Sequence, residues 1–399
     1  MNPRIRQMII ITALFALSAA VRAWRSDFHA PLGGDEGEYH LLATQLLAGN
    51  GFVDAAGAPT AWRTPGFPVF LALVYAAAGP DPAYARLAIF LISALTTVIV
   101  YLLVSNLFNR RSTALAAAGI WAFLPTGIFL GASLYGESLA AFLLSAAFLA
   151  AAGAGREKRL PAARAISAGL LAGAAVLTRG YLIFVLAALP LYFLFFKRDG
   201  KLAAVCLVFS ALLPAAWIAR NDLTLGTPVF STEGAEVVWH GNNRWSRGSF
   251  NGDWDAPDSA QRNYLEQKYP GFFEELSETQ RSRIYLGEAA DDAAAEPVRM
   301  LRLVPRKIFF LFTPWSYMGV DWLYAACFPF AIAGVFMILG QKEKRQLFWI
   351  LIFPLVCVAA ICVLTFGDPR FRHPVDFCVV ALAFLGIAGV ADRIKKKVV

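Results

Sequence analysis

The chain has 399 residues, of which 58% are hydrophobic and only 16% charged, and its mean hydropathy is +0.55. This composition excludes an ordinary soluble domain and is that of a polytopic membrane protein. The formal net charge of +8 does not point to nucleic acid, because the basic residues cluster in short loops between apolar runs, as the positive-inside rule requires.

At the start of the chain, Arg4 and Arg6 precede an apolar run from Met8 to Val21. With Ser18-Ala19-Ala20 as a small-residue site it has features of a signal peptide, but it is read here as an uncleaved first span. A short acidic turn follows, Gly33-Gly34-Asp35-Glu36-Gly37-Glu38-Tyr39. From Tyr39 the apolar residues recur at Leu42, Ala43, Leu46 and Leu47, one stripe of an amphipathic helix that Gly49-Asn50-Gly51 ends. One reading makes Asp35 the N-cap and Glu38 its capping-box partner. That leaves Glu36 over, and adjacent carboxylates beside a bilayer are costly unless solvated, paired or used. Asp35 and Glu36 are therefore the candidates for chemistry.

The second long span is Ala83 to Phe108, closed by Arg110-Arg111. Thr113 to Leu130 and Leu134 to Ala152 come next, the latter followed by Arg156, Lys158 and Arg159. Ile166 to Leu177 and Tyr181 to Phe196 form a pair ending at Lys197-Arg198, and Leu202 to Ile218 leads to Arg220-Asn221. Three further spans run Leu323 to Leu339 before Lys342, Lys344 and Arg345, then Phe348 to Leu364, then Val375 to Val390 before Lys395-Lys396-Lys397. About ten spans alternate consistently, with both termini and eight of the ten lysines on the cytoplasmic side. Pro68 to Ala78 and Lys307 to Phe312 are too short to cross ~30 Å of hydrocarbon and are read as juxtamembrane or re-entrant helices. This parity puts Asp35 and Glu36 outside the cytoplasmic membrane.

Asp222 to Arg299 is the one soluble-looking region, with 14 acidic residues against 7 Lys plus Arg. It lies outside by the same parity, and at about 80 residues it is small for an independent core, so it is expected to pack on the membrane part. The division expected is 1–221, a transmembrane module whose first outer loop covers 27–82; 222–302, an extracytoplasmic domain rich in helix; and 303–399, the last transmembrane helices. Turn signals at Gly241-Asn242-Asn243, Asn251-Gly252-Asp253 and Pro270-Gly271 alternate with short helices near Glu274 to Leu286 and Asp291 to Leu301. The five cysteines, Cys206, Cys327, Cys357, Cys362 and Cys378, all sit in apolar segments and read as small core residues, with no disulfide framework.

Arg63, Arg179, Arg220, Arg370 and Arg372 all fall on the outer side, and guanidinium suits bidentate contact with phosphate. The competing reading is that arginines at helix ends snorkel to lipid headgroups. Glu137 opens a helix on the same side, where it could simply stabilise the dipole. Trp239, His240, Asn242, Asn243, Trp245 and Trp254 combine aromatic faces and amides, a mixture suited to sugar rings or to an interfacial belt. Tyr39, Glu137, Asn221, Trp239, Asn242 and Asn243 are the substrate-binding candidates. The histidines His29, His40, His240 and His373 lack metal-ligand spacing, and no Gly-rich phosphate loop, His-Glu-x-x-His or nucleophile elbow is present.

An Asp-Glu pair in the first outer loop, Trp62 to Pro68 (Trp-Arg-x-Pro-Gly-x-Pro), Leu177 to Arg179 (Leu-Thr-Arg), Trp217 to Asn221 (Trp-x-x-Arg-Asn) and Asp368 to Pro374 (Asp-Pro-Arg-Phe-Arg-His-Pro) together resemble the GT-C membrane glycosyltransferases. Within them the chain is most similar to the protein O-mannosyltransferase and lipid A aminoarabinose transferase group. The resemblance implies an all-α polytopic fold with juxtamembrane helices, and transfer of a sugar from a polyprenyl-phosphate donor to a lipid, glycan or protein acceptor on the outer face of the membrane. It makes Asp35 the catalytic general base with Glu36 beside it, and the arginines the holders of the phosphate. The aminoarabinose transferases carry Glu-Lys-Pro where this chain has Arg63-Thr64-Pro65, so that second acidic group is missing. No cofactor is required; a divalent metal is compatible with the carboxylates but not indicated. Membrane lipids and the donor are the expected partners, not nucleic acid. A transporter or flippase for a lipid-linked sugar, or a non-catalytic scaffold with a small outer binding domain, are the alternatives from other classes.

Overall fold

The structure, a computed structural model, describes residues 2–153, 161–250, 256, 259–341 and 345–398. Arg156, Lys158, Arg159, Lys342, Lys344, Trp254 and the expected turn at Asn251-Gly252-Asp253 lie outside the described residues. Among the described residues the fold is all-α apart from an isolated bridge, Val53 to Pro59, and one hairpin, β1 (Trp315–Ser316) against β2 (Gly319–Val320), in antiparallel register.

The N-terminal half runs α1 (Pro3–Ala23), α2 (Asp35–Leu47), α3 (Gly66–Ala78), α4 (Pro82–Phe108), α5 (Arg111–Phe123), α6 (Pro125–Gly131), α7 (Glu137–Gly153) and α8 (Pro161–Thr178). A broken segment over residues 180–196 follows, 3-10 at first, α-helical in α9 (Ala188–Leu191) and π at its end, before α10 (Gly200–Leu225). Two short helices, α11 (Glu233–Asn242) and α12 (Ala260–Lys268), come next, then the longer α13 (Glu278–Ala295) and α14 (Pro297–Phe312). The chain closes with α15 (Trp322–Leu339), α16 (Arg345–Leu347), α17 (Phe353–Leu364), α18 (Pro369–Arg372) and α19 (Asp376–Val398). Local chemistry sets many of the ends: the side chains of Asp81 and Asp199 accept from the first free N–H groups of α4 and α10, and Ser277 with Gln280 makes a capping box on α13.

Six of these helices are long and apolar enough to cross a membrane, and α5 with α6 makes a seventh if the pair is one span bent by 59°. The bend falls at Leu124-Pro125, inside the expected Thr113 to Leu130 span, because Pro125 cannot continue the hydrogen-bond ladder of α5. Three of the shorter apolar helices coincide with the remaining expected spans; the fourth is α3, expected to be juxtamembrane. One contiguous core joins α4, α5, α7, α8, α10, α15, α17 and α19. In α8, Gly173 lies so close to α10 that a Cβ would sit 2.6 Å from the Ser210 carbonyl oxygen, the small-residue packing that stands in for a hydrophobic driving force within lipid.

The helices α11 and α13 pack around Trp239, Leu265, Phe272 and Tyr285, forming a small core of their own. Two expectations are corrected there. Gly241-Asn242 does not turn but completes α11, since a Cβ on Gly241 would strike the carbonyl of Thr365 and glycine allows that close approach. The expected Asp291 to Leu301 helix is divided, because α13 runs on to Ala295 and Pro297 starts α14 afresh.

Candidate active site

Helix α2 begins without a side-chain cap. Gly34 is its N-cap, with φ 50° and ψ −127°, and no side chain bonds the first N–H groups. The capping-box reading of Asp35 and Glu38 is therefore overturned. Asp35 is the first helical residue and its carboxylate leaves the helix end to meet two guanidiniums. Arg63 Nη2 donates to Oδ1 and Arg370 Nη2 to Oδ2, each at 2.7 Å.

Arg63 stands at the centre of the acidic groups. Its Nε donates to Glu38 at 2.7 Å and its Nη1 to Glu233 Oε1 at 2.5 Å, so all three of its nitrogens carry a carboxylate. Arg370 also donates through Nε to Glu137, which is fully buried and accepts from Arg179 Nη2 at 2.5 Å on its other oxygen. Arg179 Nη1 reaches Tyr39 Oη at 2.5 Å, and the Tyr39 ring lies 5.4 Å from both the Arg63 and the Arg179 guanidinium carbons. Arg370 stacks 4.4 Å from the Tyr135 ring. Three guanidiniums and four carboxylates thus make one connected network at the starts of α2 and α7 and the end of α8.

Backbone packing holds these parts in place. A Cβ on Gly66, at the start of α3, would stand 2.6 Å from the Leu177 carbonyl carbon and the Thr178 nitrogen. The turn at 62–68 that carries Arg63 and the turn at 177–179 that carries Arg179 are therefore pressed together, and only glycine permits it. Glu233, 170 residues along the chain from Arg63, arrives because residues 231–232 are tied to the same turn. Ser231 Oγ donates to the Trp62 carbonyl at 2.8 Å, and the Thr232 N–H to that of Ala61 at 3.0 Å. Glu278 of α13 accepts from Thr60 Oγ1 and the Ala61 N–H, each at 2.7 Å.

The electrostatic consequence differs between the carboxylates. Burial alone would raise the Asp35 carboxyl, but the charges of Arg63, Arg370 and Arg179 outweigh it and hold the group well below the usual carboxylate range. Burial raises Glu233, and its one guanidinium, Arg63, does not fully offset that, so Glu233 stays above its ordinary value.

Of the residues expected from the sequence, Asp35, Tyr39, Arg63, Glu137, Arg179 and Arg370 are brought together. Glu36 is turned away: it accepts from the Leu134 N–H at 2.8 Å and pairs with Arg86, which also holds the carbonyls of Phe28 and Ala30. Arg220 donates to the backbone carbonyls of Thr60 and Phe52 and stacks on Trp217, beside Asn221, whose amide donates to the Val229 carbonyl. Arg372 is fully buried against Asp376, the carbonyls of Leu311 and Thr313, and the Tyr324 ring. Trp239 and Asn243 are core residues, and Asn242 bridges Lys307 and the Leu364 carbonyl. Glu36, Arg220, Asn221, Arg372, Asn242 and Asn243 are not joined to the network by a hydrogen bond or ion pair among the described residues. Glu38 as an Arg63 partner, Glu233, Arg86 and Tyr135 were missed. No local signal marks Glu233, which is 170 residues from its partner.

Among the described residues no three His, Cys, Asp or Glu side chains converge as metal ligands. The carboxylates around Asp35 face guanidiniums.

Residues 62–219 match the family model described as dolichyl-phosphate-mannose-protein mannosyltransferase, a stretch that contains Arg63, Glu137 and Arg179. No curated protein matches the chain. The Archaeoglobus fulgidus oligosaccharyltransferase solved with a tethered acceptor peptide superposes with a TM-score of 0.57 at 15% identity, over 98% of this chain and 50% of its own. The oligosaccharyltransferase AglB from Archaeoglobus fulgidus, solved with an inhibitory peptide and dolichol-phosphate, gives 0.53 at 16% identity over 97% and 50%. ArnT from Cupriavidus metallidurans gives 0.46 at 15% identity over 94% and 77%. The chain spans about half the length of the oligosaccharyltransferases it matches. This is a multi-pass membrane protein with the fold of the Archaeoglobus fulgidus oligosaccharyltransferase, and its residues 62–219 match the dolichyl-phosphate-mannose-protein mannosyltransferase family model.

Proposed function

We propose that the protein transfers a sugar from a polyprenyl-phosphate donor to a hydroxyl-bearing lipid, glycan or protein acceptor, at the outer face of the cytoplasmic membrane. The observation that carries this reading is Asp35 held between Arg63 and Arg370, with both of its oxygens on guanidiniums, in the first loop after α1. The mannosyltransferase match over 62–219 and the dolichol-phosphate in the AglB structure agree with a lipid-phosphate donor.

In the reaction, the acceptor hydroxyl gives its proton to Asp35 as its oxygen attacks the anomeric carbon. The bond from that carbon to the phosphate oxygen breaks, and the electron pair leaves with the lipid phosphate. Guanidiniums aimed at the phosphate stabilise the charge that develops there, in surroundings that exclude much of the water. A carboxylate pinned by two guanidiniums is a weak base. The negative charge of a phosphate on Arg63 and Arg370 offsets their pull on Asp35 and its basicity returns, so the donor itself prepares the base.

The test is transfer by purified protein in lipid nanodiscs, with polyprenyl-phosphate sugars as donors. Asp35→Asn should lower the rate by roughly 10²- to 10⁴-fold, the usual share of general-base catalysis. Near wild-type transfer by an Asp35→Asn protein that melts normally would remove Asp35 from the chemistry. Reporter fusions in α11–α13 should report from outside the cytoplasm.

A further inference from the structure

The network joins four carboxylates, Asp35, Glu38, Glu137 and Glu233, to three guanidiniums, Arg63, Arg179 and Arg370. It therefore carries one negative charge in excess before any donor arrives. Each nitrogen of Arg63 already donates to a carboxylate, so a phosphate that takes a two-bonded grip on Arg63 competes with one of them. Asp35 is held from both sides by two arginines and is the hardest to move. Glu38 projects halfway into solvent, where losing a pair means little. Glu233 is more enclosed and accepts from Arg63 Nη1 through Oε1, its one ion pair among the described residues.

We propose that Glu233 occupies the phosphate seat on Arg63, and that a phosphodiester taking that seat drives about one proton from solvent onto the displaced carboxylate. This deepens the lipid-phosphate reading above and rests on it. The groups that face Glu233 are Arg63 from the 62–68 turn, Asp35 and Tyr39 from α2, Arg179 from the end of α8, and Glu236 from its own helix. Only the two arginines favour its ionised form. Phosphate binding draws Arg63 off and adds a further negative charge, while residues 231–232, bonded to the backbone of 61–62, keep Glu233 from swinging far. A carboxylate that burial already raises, once stripped of its guanidinium and kept beside an anion, is the group that protonates. No covalent bond changes in this step.

A polyprenyl methyl phosphodiester is the probe, because its single charge does not titrate near neutrality and it carries no sugar to transfer. Calorimetric titration of the full chain in nanodiscs, repeated in buffers of different ionisation enthalpy, reads the protons taken up per diester bound. The wild-type protein should take up about one proton near neutral pH, and its Kd should weaken by up to ~10-fold per pH unit above neutrality. Glu233→Gln should bind the diester more tightly, with uptake near zero and a flat pH profile. Wild-type binding with no proton uptake between pH 5.5 and 8 would overturn the inference and leave the donor reading standing, with no variant needed. Undiminished uptake by a normally melting Glu233→Gln protein would also overturn it, and would move the proton to Glu38 or Asp35. Failure of both proteins to bind the diester would remove the lipid-phosphate site itself.

Discussion

Gly66→Ala tests whether the juxtamembrane turn sets the geometry of the arginines. The added Cβ would lie 2.6 Å from the Leu177 carbonyl carbon and the Thr178 nitrogen and 2.7 Å from the Leu177 oxygen, against an ordinary lower limit of 3.4 Å. These are backbone atoms, so no side chain can swing aside, and the 62–68 and 177–179 turns must separate by about 0.8 Å. Arg63 and Arg179 sit on opposite sides of that seam, sharing the Tyr39 ring at 5.4 Å each. The bonds from Arg179 to Glu137 and Tyr39, both 2.5 Å, would lengthen past 3 Å or pull their partners along. Overpacking of this kind costs about 1–3 kcal/mol. A displacement near 1 Å at a positioning residue costs up to ~10²-fold in rate. The assay is sugar transfer beside thermal melting, with Gly119→Ala as control, since a Cβ there meets nothing within 4 Å. Wild-type transfer and melting by Gly66→Ala would refute the idea that this close approach positions the site.

Arg370→Lys should weaken donor use by at least tenfold although the charge is kept, because one ammonium cannot hold Glu137 and Asp35 as Nε and Nη2 do; donor titration reads it. Arg220→Lys should instead lower the melting temperature with donor Kd unchanged, since its guanidinium holds the carbonyls of Thr60 and Phe52. Burial brings the Lys307 ammonium in α14 down to about 8, from an ordinary value near 10.4. Between those values the unfolded chain holds a proton that the folded one has shed, so stability should rise with pH from about 8 to about 10. Melting scans of wild type against Lys307→Met over that range read it as a gain of the wild type relative to the variant.

The sequence was informative where the physics is local. The acidic turn, the Trp62 to Pro68 and Leu177 to Arg179 turns and the late Asp368 to Pro374 run are each a few residues long, and the structure joins them in one network, the first, second and last at Asp35, and Arg179 through Tyr39 and Glu137. It was less informative about direction. Glu36 and Asp35 are neighbours, yet one helical residue is about 100° of rotation, enough to send one to Arg86 and the other to Arg63. The capping-box reading failed because it assumed Asp35 would close the helix, a place Gly34 takes with a positive φ. Arg372, counted with the phosphate arginines, lies two residues from Arg370, which in a helical turn points it into the core at Asp376. The aromatic and amide residues near Trp239 have a composition common to sugar sites and to small domain cores, and only burial separates the two. Glu233 depends on the docking of 231–232 against 61–62, a pairing no periodicity encodes.

That docking also decides where the molecule can be recombined. Transplanting α11–α13 from a relative, in order to exchange acceptors, would naturally take a junction at Leu225-Gly226, where α10 ends. Such a graft would carry the Phe230 carbonyl that Trp217 grips, the Val229 carbonyl that holds Asn221, and the two contacts to the 61–62 backbone, replacing four fitted partners at once. A junction placed after Glu233 leaves all of them native, and chimeras cut on either side of that residue should differ in assembly far more than eight residues of sequence would suggest.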